Sequence, residues 1–316
     1  MKFPTEKRSP RADTTGVVAI DLSPDGTRLV SGSSDGEVAL WDTASLTKSG
    51  TLAKGPAPIQ KVKFSPDGNL IAATNDRNEL SFVRIDENAA GFFRRILGGS
   101  PKPVASAEGW LDVTFSADGR RVAAVAKESI VNILEVNTFK KIKSLRGDKV
   151  VALSPKGDLL ASANFVQTMA KDYLEVVVVS VEAGTGRAVT RKESWVNALA
   201  FSPDGKFLAC GLQEGLGLGD RSHHVAVWSM PSYDRVPGEI KHDRGELMDF
   251  ITGVAFTHDG THMVSGCVDG TVAVWRVGSF DRVQTLVWEG GHLTSLAATD
   301  SCIAVTAKDS GFVVWG

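Results

Sequence analysis

Residues 250–276 read FITGVAFTHDGTHMVSGCVDGTVAVWR. Apolar and polar residues alternate there at period two, which predicts three short strands. Asp259-Gly260 and Asp269-Gly270 supply the positive φ that tight turns between such strands require. The stretch therefore reads as strand, turn, strand, turn and a third strand ending in Trp275. Nearly the same text stands at residues 17–42, VVAIDLSPDGTRLVSGSSDGEVALWD. A chain that repeats itself is read first as a repeat protein.

Working outward, the pattern recurs seven times. The first-turn glycines are Gly26, Gly68, Gly119, Gly157, Gly205 and Gly260, with Ser301 in the seventh place; the intervals are 42, 51, 38, 48, 55 and 41. A basic period near forty, stretched by insertions, predicts four-stranded propeller blades. In repeat one the strands are expected at 17–22, 28–32, 37–42 and 46–53. Repeat two adds strands at 80–85 and 92–97, and repeat five reaches its third strand only at 225–229. Repeat seven stops after its third.

Composition supports one closed β structure. Within 316 residues the net charge is −2, so no whole-molecule field draws the chain to nucleic acid or to an acidic membrane. Two local basic runs, Lys140, Lys141, Lys143 with Arg146, and Arg187, Arg191 with Lys192, read as solvated strand edges, because lysine on outer strands blocks edge pairing. The first residues, MKFPTEKRSPR, lack the apolar core of a secretory signal, and no apolar run approaches the roughly twenty residues of a membrane span. Cys210, Cys267 and Cys302 fall in three separate repeats without metal-ligand spacing, and are expected as free thiols in a reducing, cytoplasmic setting.

The residues resemble the WD-repeat family along essentially the whole chain. Trp41-Asp42 is that family's eponymous dipeptide, Trp228, Trp275 and Trp315 hold the same place, and Gly291-His292 matches its Gly-His pair. The resemblance implies an all-β, seven-bladed β-propeller of four-stranded antiparallel blades, one domain over 1–316. Its blades run at about 14–56, 57–105, 106–147, 148–193, 194–245, 246–290 and 291–316 plus 2–8. It also implies that the ring is closed by the N-terminal strand pairing with the C-terminal blade. Residues 2–8 are the segment placed to do so, and Pro4 is tolerable there because the outer strand is an edge.

The family's buried tetrad of His, Ser or Thr, Asp and Trp maps onto His292, Thr306, Asp309 and Trp315 as a complete set. Ser265, Asp269 with Trp275, and Ser31, Asp35 with Trp41, map as sets without a histidine. Family partner contacts map onto the starts of the first strands: Gln60, Leu111, Lys149, Trp195, Asn197, Phe250 and Thr252. Ser34, Val268 and Lys308, each before a turn aspartate, complete that list.

Chemistry elsewhere has plainer readings. The glycines of 211–219 lead into a strand rather than a helix, so they lack the helix N-terminus that makes such loops bind anions. His223 with His224, and His258 with His262, lack the helical spacing of a metal clamp, and no metal or cofactor is expected. Asp25, Asp67, Asp118, Asp204 and Asp259 read as turn residues capping backbone amides. Insertions at 98–109, 165–173, 213–224 and 242–249 fall in loop classes that share one face of a propeller.

The expected function is a non-catalytic scaffold that binds a protein or peptide on that face and has room for a place in a multiprotein complex, without nucleic acid and without membrane insertion. The alternatives are a propeller hydrolase or lyase at the channel mouth, since fold does not fix function, and a regulator of a small nucleotide-binding protein.

Overall fold

A computed structural model describes residues 6–8, 14, 16–77, 79–85, 110–126, 129–166, 173–190, 194–214, 222–237, 240–242, 250–307 and 310–316. Among them every regular element is a strand. β1 (Glu6–Arg8) opens the chain. Blade one is β2 (Val17–Leu22), β3 (Arg28–Ser33), β4 (Glu37–Asp42) and β5 (Lys48–Lys54). Blade two is β6 (Ile59–Phe64), β7 (Leu70–Asn75) and β8 (Leu80–Arg84); its expected outer strand at 92–97 lies outside the described residues. Blade three is β9 (Trp110–Phe115), β10 (Arg121–Ala126), β11 (Ile130–Glu135) and β12 (Lys141–Arg146).

Blade four is β13 (Asp148–Leu153), β14 (Leu159–Val166), β15 (Tyr173–Ser180) and a short β16 (Gly186–Ala188). Blade five is β17 (Ser194–Phe201), β18 (Phe207–Glu214), β19 (Ser222–Ser229) and an outer strand broken into β20 (Asp234–Arg235) and β21 (Ile240–Lys241). Blade six is β22 (Ile251–Phe256), β23 (His262–Cys267), β24 (Thr271–Arg276) and β25 (Arg282–Val287). Blade seven is β26 (Leu293–Ala298), β27 (Ile303–Ala307) and β28 (Gly311–Trp315). The architecture is a seven-bladed β-propeller of four-stranded antiparallel blades.

The ring closes through β1. It pairs antiparallel with β28 in the register Glu6↔Trp315, Lys7↔Val314 and Arg8↔Val313, giving blade seven its fourth strand. The turns are as the repeats require: Gly260 has φ +68° and Gly270 φ +88°.

Both faces of a blade are apolar because each packs on a neighbouring blade. Val264, Val272 and Val274 of blade six meet Ile303, Val305 and Trp315 of blade seven. The opposite face of blade seven, Ala304, Phe312 and Val314, meets Ile20 and Trp41 of blade one. The core is thus a series of layers around the ring. Inside the ring, the first strands surround a cavity of about 430 Å³.

Two insertions are shorter as loops than the sequence suggests. β14 and β15 pair from Leu159↔Ser180 out to Val166↔Tyr173, and β18 and β19 from Phe207↔Ser229 out to Glu214↔Ser222, so the hairpins absorb the outer residues of both. A bridge between Leu174 and Ser194 joins β15 to β17, so that blades four and five share one sheet.

Candidate partner-binding face

The first strands all begin at one end of the ring, and in blades one, two and six a backbone hydrogen bond ties that start to the end of the second strand. Ser34 N donates to Gly16 O at 2.7 Å, Asp76 N to Pro58 O at 3.0 Å and Val268 N to Phe250 O at 2.9 Å. Side chains at this level take three directions: some face solvent, some line the channel, and Val17, Ile59, Ile251 and Leu293 pack into the layers between blades. Trp195 is 44% exposed and Phe250 39%, high values for large apolar side chains. Lys149, from the neighbouring blade four, lies with Nζ 4.7 Å from the centroid of the Trp195 ring, a cation–π contact. Phe165, near the tip of the long blade-four hairpin, is another exposed aromatic, and sequence reading passed over it because it lay inside a presumed loop.

Of the other expected contacts, Gln60 and Ser34 are exposed at the same end. Asn197 and Thr252 are half-buried and line the channel; Thr252 Oγ1 donates to Gly266 O at 3.2 Å. Val268 is buried, which removes it from the surface set: its N–H ties down Phe250 and its side chain points inward. The Leu111 side chain and Lys308 lie outside the described residues.

Around the channel, first-strand side chains staple one blade to the next. Asp21 of blade one accepts from Phe64 N at 2.8 Å and from Lys63 Nζ at 3.0 Å, both in blade two. Asp112 of blade three accepts from Val151 N of blade four at 3.1 Å and from Val113 N at 3.0 Å. Burial pushes the Asp112 carboxyl up, against the pull of Lys61, the Val151 N–H and Lys63. Burial would lower the Lys63 ammonium, but Asp21 outweighs it and holds it raised.

The tetrads differ from expectation. In blade six Trp275 Nε1 donates to Ser265 Oγ at 2.8 Å, and a histidine does complete the set: His242 Nε2 lies 2.8 Å from Ser265 Oγ and its Nδ1 2.8 Å from Thr271 Oγ1. Thr271 Oγ1 donates onward to Asp269 Oδ1 at 2.5 Å. That direction makes Nδ1 the protonated nitrogen of His242 and Nε2 the acceptor of the Ser265 hydroxyl proton. No glycine precedes His242, so the Gly-His signal that marks this position elsewhere is missing.

In blade one Trp41 Nε1 donates to Ser31 Oγ at 2.8 Å, while Asp35 is taken up by the Ser33 hydroxyl and by Lys54 Nζ at 3.0 Å. The described members of the blade-seven set, His292, Thr306 and Trp315, do not come together. His292 is exposed, and Asp309 lies outside the described residues. Thr306 is one residue out of register: Trp315 pairs with Ile303, so Val305 occupies the place of Ser31 and Ser265. Thr306 faces the opposite side, where its hydroxyl bonds to Gly311 O at 2.7 Å and Val17 O at 3.2 Å. The turn before β27 is one residue shorter than its counterparts, which shifts any count made forward from that first turn.

Comparison with known proteins agrees with this geometry. A family model described as WD domain, G-beta repeat, matches residues 5–42, 187–230 and 241–276. The chain is similar to Protein HIR1 of Aspergillus oryzae, 23% identical over 235 residues that cover 61% of this chain and 22% of that protein. It is similar to WD repeat and HMG-box DNA-binding protein 1 of Xenopus laevis, 24% identical over 301 residues, 87% of this chain and 24% of that protein. It is also similar to Small ribosomal subunit protein RACK1y of Oryza sativa subsp. japonica, 24% identical over 272 residues, 82% of this chain and 74% of that protein. The chain thus spans under a quarter of the length of the first two and about three quarters of the third.

Proposed function

Because the chain is a seven-bladed WD-repeat propeller, we propose that it is a non-catalytic scaffold holding a protein or peptide partner where its first strands begin. The observation that carries this reading is the pair of exposed aromatics at the entrances of adjacent blades, Trp195 and Phe250, with Lys149 stacked on the former. Exposed aromatic anchors on a rigid frame are what binding hot spots are made of, and each is worth roughly 2 to 4 kcal/mol when buried in a partner. The rice relative is named for an assembly, the small ribosomal subunit, and membership of a multiprotein complex suits this ring too.

The Xenopus relative is named a DNA-binding protein. With a net charge of −2 on this chain, we assign the face to protein rather than nucleic acid. The channel carboxylates, Asp21 and Asp112, are spent on backbone N–H groups of the next blade, which favours a structural role over a catalytic one. A cytoplasmic setting suits Cys210 and Cys267, buried as free thiols.

The test is quantitative capture from native extract with wild-type protein and the variants Trp195→Ala, Phe250→Ala and the double variant, with unfolding curves measured in parallel. Specific partners are expected to fall at least tenfold with the double variant while the melting temperature is unchanged. Undiminished capture would move the binding face elsewhere.

A further inference from the structure

The opposite end of the ring carries the first turns, and there six of the seven blades reach across to the turn of the next. Arg28 of blade one donates through Nη2 to Gly68 O at 3.3 Å, and Arg121 of blade three through Nη1 to Gly157 O at 2.7 Å. Pro155 comes within 3.4 Å of the point where a side chain would begin at Gly205, and Pro203 within 3.9 Å of that point at Gly260. Asp300 accepts from Asp259 N at 2.9 Å, and Cys302 Sγ lies 3.7 Å from Gly26 O.

Among the described residues one seam has no such crossing between its first turns; blade two meets blade three there through Phe82, whose ring stacks on that of Phe139 with centroids 4.3 Å apart. Leu70 closes the blade-two turn by accepting from Ser65 N, as Arg28 does from Ser23 N and Arg121 from Ser116 N, so it stands where the other two blades carry arginine. Among the described residues, Gly119's own chain neighbours aside, no heavy atom lies within 4 Å of the side-chain position at Gly119, whereas Arg28 comes within 3.1 Å of it at Gly68 and Arg121 within 2.8 Å at Gly157. The gap opens as a cleft of about 440 Å³ between blades two and three, lined among others by Asp67, Asn69, Arg84, Gly119, Arg120 and Asn137.

The molecule itself shows what group fits. Arg28 engages the carbonyl of the next turn and also acts electrostatically on Asp25 in its own. Across the open seam stand the equivalent groups, the Gly119 carbonyl and the Asp67 carboxylate, and Asp67 has no ion pair within 4 Å among the described residues. A bare cation would be repelled by Arg84 and Arg120 on the same walls; a ligand bringing its own carboxylate would be held by them. We infer that this cleft binds a guanidinium group carried beside a carboxylate, either as free arginine or as an arginine next to an acidic residue in a partner chain.

Thermal unfolding of the full chain tests this with L-arginine and with the end-blocked dipeptide Arg-Glu, against L-lysine and L-citrulline. Either guanidinium probe is expected to raise the melting temperature saturably by about 2 °C or more, beyond lysine and citrulline. A response to arginine alone assigns the site to the free amino acid, and one to the dipeptide alone to a partner chain. Leu70→Arg supplies the guanidinium from within and is expected to abolish the response. Asp67→Asn, which keeps the turn bonds from the Ser65 hydroxyl and Asn69 N to Oδ1, should abolish it too. No excess rise with either probe overturns the assignment. So does a full response in Asp67→Asn, which decides alone if Leu70→Arg does not fold.

Discussion

At the scale of single residues, two histidines separate what a motif marks from what a hydrogen bond does. His292 follows a glycine as the family pattern asks, yet it is exposed; His242 follows a lysine, yet it bridges Ser265 and Thr271. Removing His242 takes one of its hydrogen-bond partners from each of two hydroxyls in the blade-six interior, at about 1–3 kcal/mol. His242→Ala is therefore expected to shift the urea midpoint down by an amount equivalent to about 1–3 kcal/mol, with an unchanged slope, and His292→Ala to leave it in place. Equal losses from the two variants would contradict the network.

At the scale of elements, the strand that matters most for closure is the shortest at the chain's ends. β1 contributes three residues, but without it β28 becomes an open edge and blade seven loses a quarter of its sheet. Deletion of residues 1–12 is expected to lower the melting temperature by several degrees, and an unchanged curve would mean that closure rests on other contacts. This pairing was legible in the sequence, because repeat seven visibly lacked a strand and 2–8 was available. Blades one, five and six were legible for a similar reason, since Trp41, Trp228 and Trp275 fix their register.

Blades two to four carry Val83, Leu134 and Val179 at the tryptophan position, so spacing and alternation alone had to carry them, and the family model matches none of their strands before 187. The face was legible in part. Trp195 and Phe250 could be placed by counting from the turns, but exposure could not, and Val268 shows that a residue beside a contact position can point into the core. The stacking of Lys149 on Trp195 joins two blades, a relation that no count within one repeat contains.

At the scale of the whole ring, the turn aspartates make stability depend on acid. Thr27, Asn69, Lys206 and Thr261 each donate their N–H to Oδ1 of Asp25, Asp67, Asp204 and Asp259 respectively, at 2.9 to 3.1 Å. Burial works to raise these four carboxyls, but hydrogen bonds from Ser23, Ser65, Ser202 and Thr257, with those N–H groups, prevail and hold them low. The Ser33 hydroxyl, and then Lys54, lower Asp35 to about 2. A carboxyl lowered on folding contributes stability above its unfolded pKa, near 3.8, and that contribution is lost as pH falls toward the folded value. Asp112 has the opposite sign: raised by burial, it favours the fold below its unfolded pKa and loses that contribution as pH rises. Against burial, Lys48 and Thr51 likewise hold Glu37 low, so six lowered carboxyls against one raised set the direction. The melting temperature is expected to fall by several degrees as pH drops from 5 toward about 2.5. In the combined variant Asp204→Asn and Asp259→Asn, that fall should be shallower, with a lower melting temperature at neutral pH. A melting temperature flat across this range would show that the turn carboxylates do not hold the blades' first hairpins together.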